Sequence, residues 1–215
     1  MSPGRFLLAT RSAGKLREMR EIFREYGLDV VDVGSAGLEE TAAEDDLESF
    51  DTFEENALAK ARFFFGRSGG MATFADDSGM SVDILGGEPA VMSKRWSGRS
   101  DLSGVALDES NNAKLRTRME EAQRADPSAF TDAARYVCVA VFKDATGEMI
   151  QRGEIEGRVL REARGEGGFG YDPYFEAADL GGTFAEASIE KTARASHRSR
   201  AFRGLLSALR REGRI

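Results

Sequence analysis

Short apolar runs alternate along this chain with segments of helical spacing. Residues 5–10 open with Phe6-Leu7-Leu8-Ala9, a run that predicts a short buried strand. Leu16, Met19, Ile22, Phe23 and Tyr26 then recur every three or four positions with charges between them, which predicts a helix. Gly27 is placed to end it as the residue just past the last turn. Residues 29–33 predict a second strand, so the chain begins strand, turn, helix, strand. Residues 34–50 are acidic and irregular, with Glu39-Glu40 and Glu44-Asp45-Asp46, and predict a loop. Thr52-Phe53-Glu54-Glu55 predicts a capping box at the head of a helix whose apolar face is Phe53, Ala57, Ala61 and Phe64.

Further on, residues 72–75 predict a strand that ends at Asp76-Asp77-Ser78-Gly79. Residues 97–107 predict a loop, and 108–125 a helix with Leu115, Met119 and Ala122 on one side. Residues 134–143 are apolar on both faces, which predicts a central strand. Asp144-Ala145-Thr146-Gly147 turns that strand into a returning one over 148–157. Residues 165–172 form a glycine-rich loop, and the tail from Ser196 carries Phe202, Leu205, Leu206 and Leu209, the stripe of an amphipathic final helix. The pattern is α/β with a mixed sheet, read as one domain over residues 1–215.

Composition narrows the partners. The 215 residues are 41% hydrophobic, enough for a sizeable core. A net charge of −7 offers no basic field for a nucleic-acid polymer. A nucleotide is still compatible when a divalent cation and a few basic groups offset its phosphates. The single cysteine, Cys138, excludes an intrachain disulfide and reads as a buried small hydrophobe. No signal-type apolar stretch opens the chain and no run reaches membrane-spanning length, so the expectation is a cytoplasmic protein with no membrane partner.

Candidate chemistry is spread over several segments. Thr10-Arg11-Ser12-Ala13-Gly14-Lys15 joins a strand to a helix start, where backbone N–H groups and the helix dipole favour phosphate and Lys15 adds charge. It is not a Walker A loop, because Leu16 stands where that loop has its hydroxyl residue. Asp76 and Asp77 are oxygen donors of the kind Mg²⁺ takes, and a carboxylate there can also deprotonate water. Asn56 and Lys60 share a helix face, and Glu48 in the acidic loop is a second candidate metal ligand. Within Gly165–Pro173, Phe169 can stack on a base and Asp172 can accept hydrogen bonds from its edge. Lys191, His197 (the only histidine) and Arg198 are donors suited to O6 of hypoxanthine or xanthine, a position where adenine carries an amino group. Taken singly, each segment also reads as an ordinary turn, cap or solvated surface.

Taken in order, these segments resemble the inosine triphosphate pyrophosphatase family, which acts on non-standard purine nucleoside triphosphates. The resemblance rests on a Thr-x-x-x-x-Lys turn, Thr52-Phe53-x-Glu55-Asn56-Ala57, Ala75-Asp76-Asp77-Ser78-Gly79, Gly165 to Pro173 and Lys191 with Ser196-His197-Arg198. It covers nearly the whole chain. It implies an elongated mixed sheet flanked by helices, two lobes with a central cleft, and a homodimer. It further implies Mg²⁺-dependent hydrolysis of ITP, dITP and XTP to monophosphate and pyrophosphate. By position it implies Asp77 as catalytic base and metal ligand, with Glu48 as the second metal carboxylate. Thr10, Arg11, Ser12, Ala13, Gly14, Lys15 and Ser78 are implied as phosphate-side contacts. Phe169, Gly170, Tyr171, Asp172, Lys191, His197 and Arg198 are implied as the nucleoside pocket. Ser12 and Thr192 replace the family's usual asparagines, and Ala90 and Met92 its usual glycine and tyrosine. These departures leave open a pyrophosphatase for other modified nucleotides, or a non-catalytic nucleotide sensor.

Overall fold

The computed structural model describes residues 5–215. Residues 1–4, on which part of the expectation about a leader rests, lie outside the described residues. The elements run β1 (Phe6–Leu8), α1 (Ala13–Glu25), β2 (Val30–Asp32), α2 (Phe53–Arg67), β3 (Thr73–Val82), α3 (Gly104–Ala125), β4 (Ala133–Asp144), β5 (Gly147–Val159), β6 (Phe175–Ala177), β7 (Gly182–Thr183), α4 (Ile189–Ala195) and α5 (His197–Arg211). The strands form a seven-stranded sheet in the order β2-β1-β3-β4-β5-β6-β7. β1 is parallel to β2 and to β3, whereas β5, β6 and β7 pair antiparallel, so the sheet is mixed as expected. No helix among the described residues is long and apolar enough to cross a membrane.

The chain divides into two compact units. The first takes the chain up to Asp77 with Cys138–Glu154 and Ser196–Ile215; the second takes Ser78–Val137 and Ile155–Ala195. In the first, Phe74 is the hub of an aromatic core. Its ring meets Phe23 and Phe142 at 4.7 Å and Phe6 at 5.6 Å, which ties β3 to α1, β4 and β1. Phe202 of α5 adds to this core through Phe23. Cys138 is wholly buried here, as its apolar surroundings predict. In the second unit the core gathers Met80, Trp96, Leu115, Tyr136, Phe175 and Phe184.

Four expectations need correction. Asp76-Asp77-Ser78-Gly79 is not a turn after a strand; β3 runs straight through it to Val82. The strand can continue because distant cations compensate the two carboxylates, as described below. The acidic stretch holds a 3₁₀ helix, Ala42–Glu48, capped by a reciprocal Thr41–Glu44 box. At α2 only the forward half of a box is seen in that form: Thr52 Oγ1 accepts from Glu55 N at 3.2 Å and donates to the Glu55 carboxylate at 2.7 Å. Finally, α3 begins at Gly104, inside the expected loop, and its first turn is solvated, so no apolar face marks it.

Candidate active site

The first unit concentrates buried charge around β3. Asp76 and Asp77 are both buried, and three helices supply their partners. Lys15, from the first turn of α1, reaches Asp76 Oδ2 at 3.0 Å. Arg198, at the start of α5, donates through Nε to the same oxygen at 3.3 Å and through Nη1 to Glu18. Lys60 of α2 donates to the Asp76 carbonyl at 2.7 Å and to the Glu48 carboxylate. The Cys138 thiol faces Asp76 at 3.8 Å. Burial works against ionised Asp76, but Lys15, Arg198 and Lys60 outweigh it and hold the carboxyl well below the usual carboxylate range. A buried ion is tolerated only with such compensation.

Asp77 is balanced differently. Asn56 Nδ2 donates to its Oδ2 at 2.9 Å. Burial and the like charge of Glu48 raise its pKa, more than Lys60, Lys15 and the Asn56 hydrogen bond lower it. Two neighbouring carboxylates thus differ in kind: Asp76 is a fixed anion and Asp77 a stronger base than a free aspartate. Asn56 and Lys60 are buried, not part of a solvated helix face. Lys60 stays charged despite burial because Glu48, Asp76 and Asp77 surround it.

The turn before α1 is organised for a helix start. Ser12 is the N-cap and its side chain accepts from Lys15 N at 3.4 Å, while Ser12 N donates to the buried Thr10 Oγ1 at 3.2 Å. No acidic residue occupies the first turn, so nothing opposes the dipole there. Ala13 is exposed and Gly14 partly so. Arg11 forks onto Glu44 at 2.7 and 2.8 Å and donates to the Leu38 carbonyl at 3.0 Å.

Lys191, His197 and Arg198, close in sequence, are separated by a helix break at Ser196, which caps α5 by accepting from Ser199 N at 3.0 Å. His197 and Arg198 are buried in the first unit. Burial and the Arg198 charge push His197 far down, so it is neutral at pH 7. Arg198 spends Nε on Asp76 and Nη1 on Glu18, which fixes the plane of its guanidinium. Lys191 lies in the second unit, where its ammonium donates to the Leu180 carbonyl at 2.7 Å beside a cavity of about 330 Å³ that Arg164, Thr183 and Glu186 also line.

The second unit holds the glycine-rich loop. Asp172 Oδ2 accepts from Phe169 N at 2.8 Å and its Oδ1 from the Tyr136 hydroxyl at 3.2 Å. Gly168 has φ +74°, and a Cβ there would lie 2.3 Å from Asp172. Tyr171 is buried and donates to the Ser93 carbonyl at 2.9 Å, while the Phe169 ring is 40% exposed. Ser78 is half-buried on β3. Beside it, a Cβ on Gly79 would lie 2.3 Å from the Ala90 carbonyl, so this position admits only glycine.

Sequence reasoning missed Asp76 as the electrostatic hub and Glu18 as the partner of Arg198. Glu18 lies three residues after Lys15 and four before Ile22, on the inward face of α1, and that register was its only signal.

Among the described residues no group of three or more His, Cys, Asp or Glu side chains gathers as an all-protein metal cage. Glu48 and Asp77 feel each other's charge, and Lys60, which donates to Glu48, acts on both. Two carboxylates completed by substrate phosphates suit Mg²⁺.

The sequence pattern of the Ham1 family matches residues 6–208. The chain is 43% identical over 210 residues to a dITP/XTP pyrophosphatase of Symbiobacterium thermophilum, covering 97% of this chain and 96% of that one. It is 42% identical over 207 residues to the Frankia alni dITP/XTP pyrophosphatase, covering 96% and 97%. A HAM1 protein from Coxiella burnetii superposes with a TM-score of 0.79 at 28% identity, over 97% of this chain and 99% of that one.

Proposed function

The chain belongs to the Ham1 family, and on that footing we propose that it hydrolyses non-standard purine nucleoside triphosphates such as dITP, XTP and ITP to the monophosphate and pyrophosphate. The observation that carries the chemistry is the division of labour between Asp76, pinned by three cations, and Asp77, whose pKa is raised. In this reading a water molecule attacks the α-phosphorus and gives its proton to Asp77. The bond from that phosphorus to the bridging oxygen breaks, and pyrophosphate leaves with the electron pair. Thr10, Ser12 to Lys15 and the α1 dipole hold phosphate oxygens, with Arg11 tethered at the edge by Glu44. Lys15 and Lys60 offset the charge that develops on the leaving group. Ser78 continues the strand towards the substrate side. Glu48 and Asp77 would hold Mg²⁺, which supplies charge neutralisation on the phosphates.

The base is assigned to Phe169 through Asp172 and to Lys191. A lysine offers only donors, which suits the O6 oxygen of hypoxanthine or xanthine and not the amino group of adenine. His197, a neutral imidazole, and Arg198 are assigned to the base on the family resemblance. The homodimer implied by the family resemblance belongs to the same reading, and sedimentation velocity tests it.

The deciding experiment is pyrophosphate release measured across ITP, XTP, dITP, ATP, GTP and the pyrimidine triphosphates with Mg²⁺ present. Release from the first three on the order of 100-fold faster than from ATP is expected. Equal rates across the panel would replace this reading with a broader pyrophosphatase. Binding without release from any of them would leave a nucleotide sensor.

A further inference from the structure

Helix α3 holds one residue of the glycine-rich loop, Gly170, by both its N–H and its carbonyl. Asp108 Oδ2 accepts from Gly170 N at 2.9 Å, and Asn112 Nδ2 donates to the Gly170 carbonyl at 2.9 Å. The two side chains are one helical turn apart and so address the loop from one face of α3. Asn112 is buried, and its Oδ1 has no hydrogen-bond partner. Its amide orientation is therefore set by Gly170 alone, since a flip would bring two acceptors together. On the other side of Phe169, Asp172 takes the Phe169 N–H at 2.8 Å.

A segment with this much glycine has a large conformational entropy to lose on binding. Here its backbone groups are already committed to fixed partners, while the side chain between them, Phe169, stays exposed. A ring presented to solvent from a pinned backbone is a pre-organised stacking surface: the ordering cost is met before the ligand arrives. We infer that Asp108 and Asn112 are positioning residues for nucleobase binding, which fix the two peptide groups flanking Gly170 from α3 so that the Phe169 ring is held ready to stack on the purine. The inference rests on the assignment of Phe169 to the base.

The test combines Asp108→Ala, Asp108→Asn, Asn112→Ala, Phe169→Ala and the double variant D108A/F169A. For each, KM and kcat for ITP are measured, together with the Kd of inosine monophosphate by calorimetry and the melting temperature. Phe169→Ala should raise KM and Kd about tenfold. Asp108→Ala and Asn112→Ala should each raise them roughly fivefold, with the loss on KM and not on kcat. Asp108→Asn keeps an acceptor oxygen and should restore both values. In D108A/F169A the Asp108 change should add almost nothing, because its effect runs through the ring. A merely structural role would lower the melting temperature without this coupling. Raised values in Phe169→Ala with unchanged ones in Asp108→Ala and Asn112→Ala, or effects that multiply in the double variant, overturn the inference and leave the base assignment standing. Unchanged values in Phe169→Ala overturn the base assignment and the inference with it. Asp108 is only half-buried, so its variants keep the test open even where Asn112→Ala folds poorly.

Discussion

The unit that carries Asp76 and Asp77 organises itself with buried ion pairs, whereas the unit that carries Phe169 does so with separate side-chain-to-backbone hydrogen bonds around an exposed residue. In the first, Lys15, Lys60 and Arg198 converge on β3 from three helices, and every charge depends on the others. In the second, Asp108, Asn112, Asp172 and Tyr171 each take a separate backbone group, and the loss of one leaves the rest in place. Under the proposed function the difference follows the ligand. A triphosphate needs strong fixed charge, which is tolerable in a protein interior only as a closed network. A purine needs a flat surface and a few donors, which a pinned loop supplies at small cost.

The contrast breaks first at Asp77. Asp77→Asn should lower kcat for ITP by about 10³-fold while the melting temperature stays level or rises. The rise follows because a group whose pKa burial has raised prefers to be neutral. An unchanged kcat would remove Asp77 from the role of base. Next is Arg198→Ala, which leaves Glu18 without its cation and takes one of three from Asp76, and should cost about 3–5 kcal/mol in urea unfolding. Asn112→Ala, its counterpart in the other unit, should cost about 1–2 kcal/mol. Equal losses in the two variants would end the distinction between a coupled and an additive site. An unaltered ITP/ATP preference in Arg198→Ala would also take Arg198 out of base selection.

A smaller effect is expected at the β4–β5 turn of the first unit, where Asp144 accepts from Thr146 N, Gly147 N and Arg214. Burial opposes its ionisation, yet Arg214 and Thr146 bring its pKa from 3.8 down to about 2. The folded value lies below the unfolded one. Its contribution, about 2 kcal/mol, is therefore fully present above pH 4 and is lost as pH falls through 2. Asp144→Ala should remove that stability at pH 6 and flatten the slope between pH 4 and 3; an unchanged slope would count against the assignment. The smallest change is Ala90→Gly. Ala90 has φ +47°, a left-handed backbone that glycine adopts freely. Relief of strain, less the added freedom of the unfolded chain, should stabilise by up to about 1 kcal/mol in thermal unfolding. A loss of stability would show that the Ala90 methyl does more than strain its turn.

Most of the architecture was legible because it rests on local periodicity. The stripe on α1, the apolar run of β4, the Asp144 turn and the Ser196 cap all announce themselves within a few residues. The centre of the site was not. Asp76-Asp77-Ser78-Gly79 has the local chemistry of a turn, and its burial inside a strand is made tolerable by counter-charges from residues 15, 60 and 198. The same long range hid Glu18, whose meaning appears only with Arg198 opposite it. Lys191 and Arg198 are close in sequence, yet the break at Ser196 gives them different partners that no local pattern announces.

Arg198 also fixes when this site can exist at all. It follows Asp76 by 122 residues, so the carboxylate emerges from the ribosome long before the guanidinium that neutralises it. At ordinary rates of synthesis the interval is roughly ten seconds. Throughout it, Phe23 and Phe74 lack Phe202, and Asp76 has Lys15 and Lys60 but not Arg198, so the first unit is short of one of its three cations. The last of the three cations, and with it the Phe202 edge of the aromatic core, thus arrives only when nearly the last helix is made.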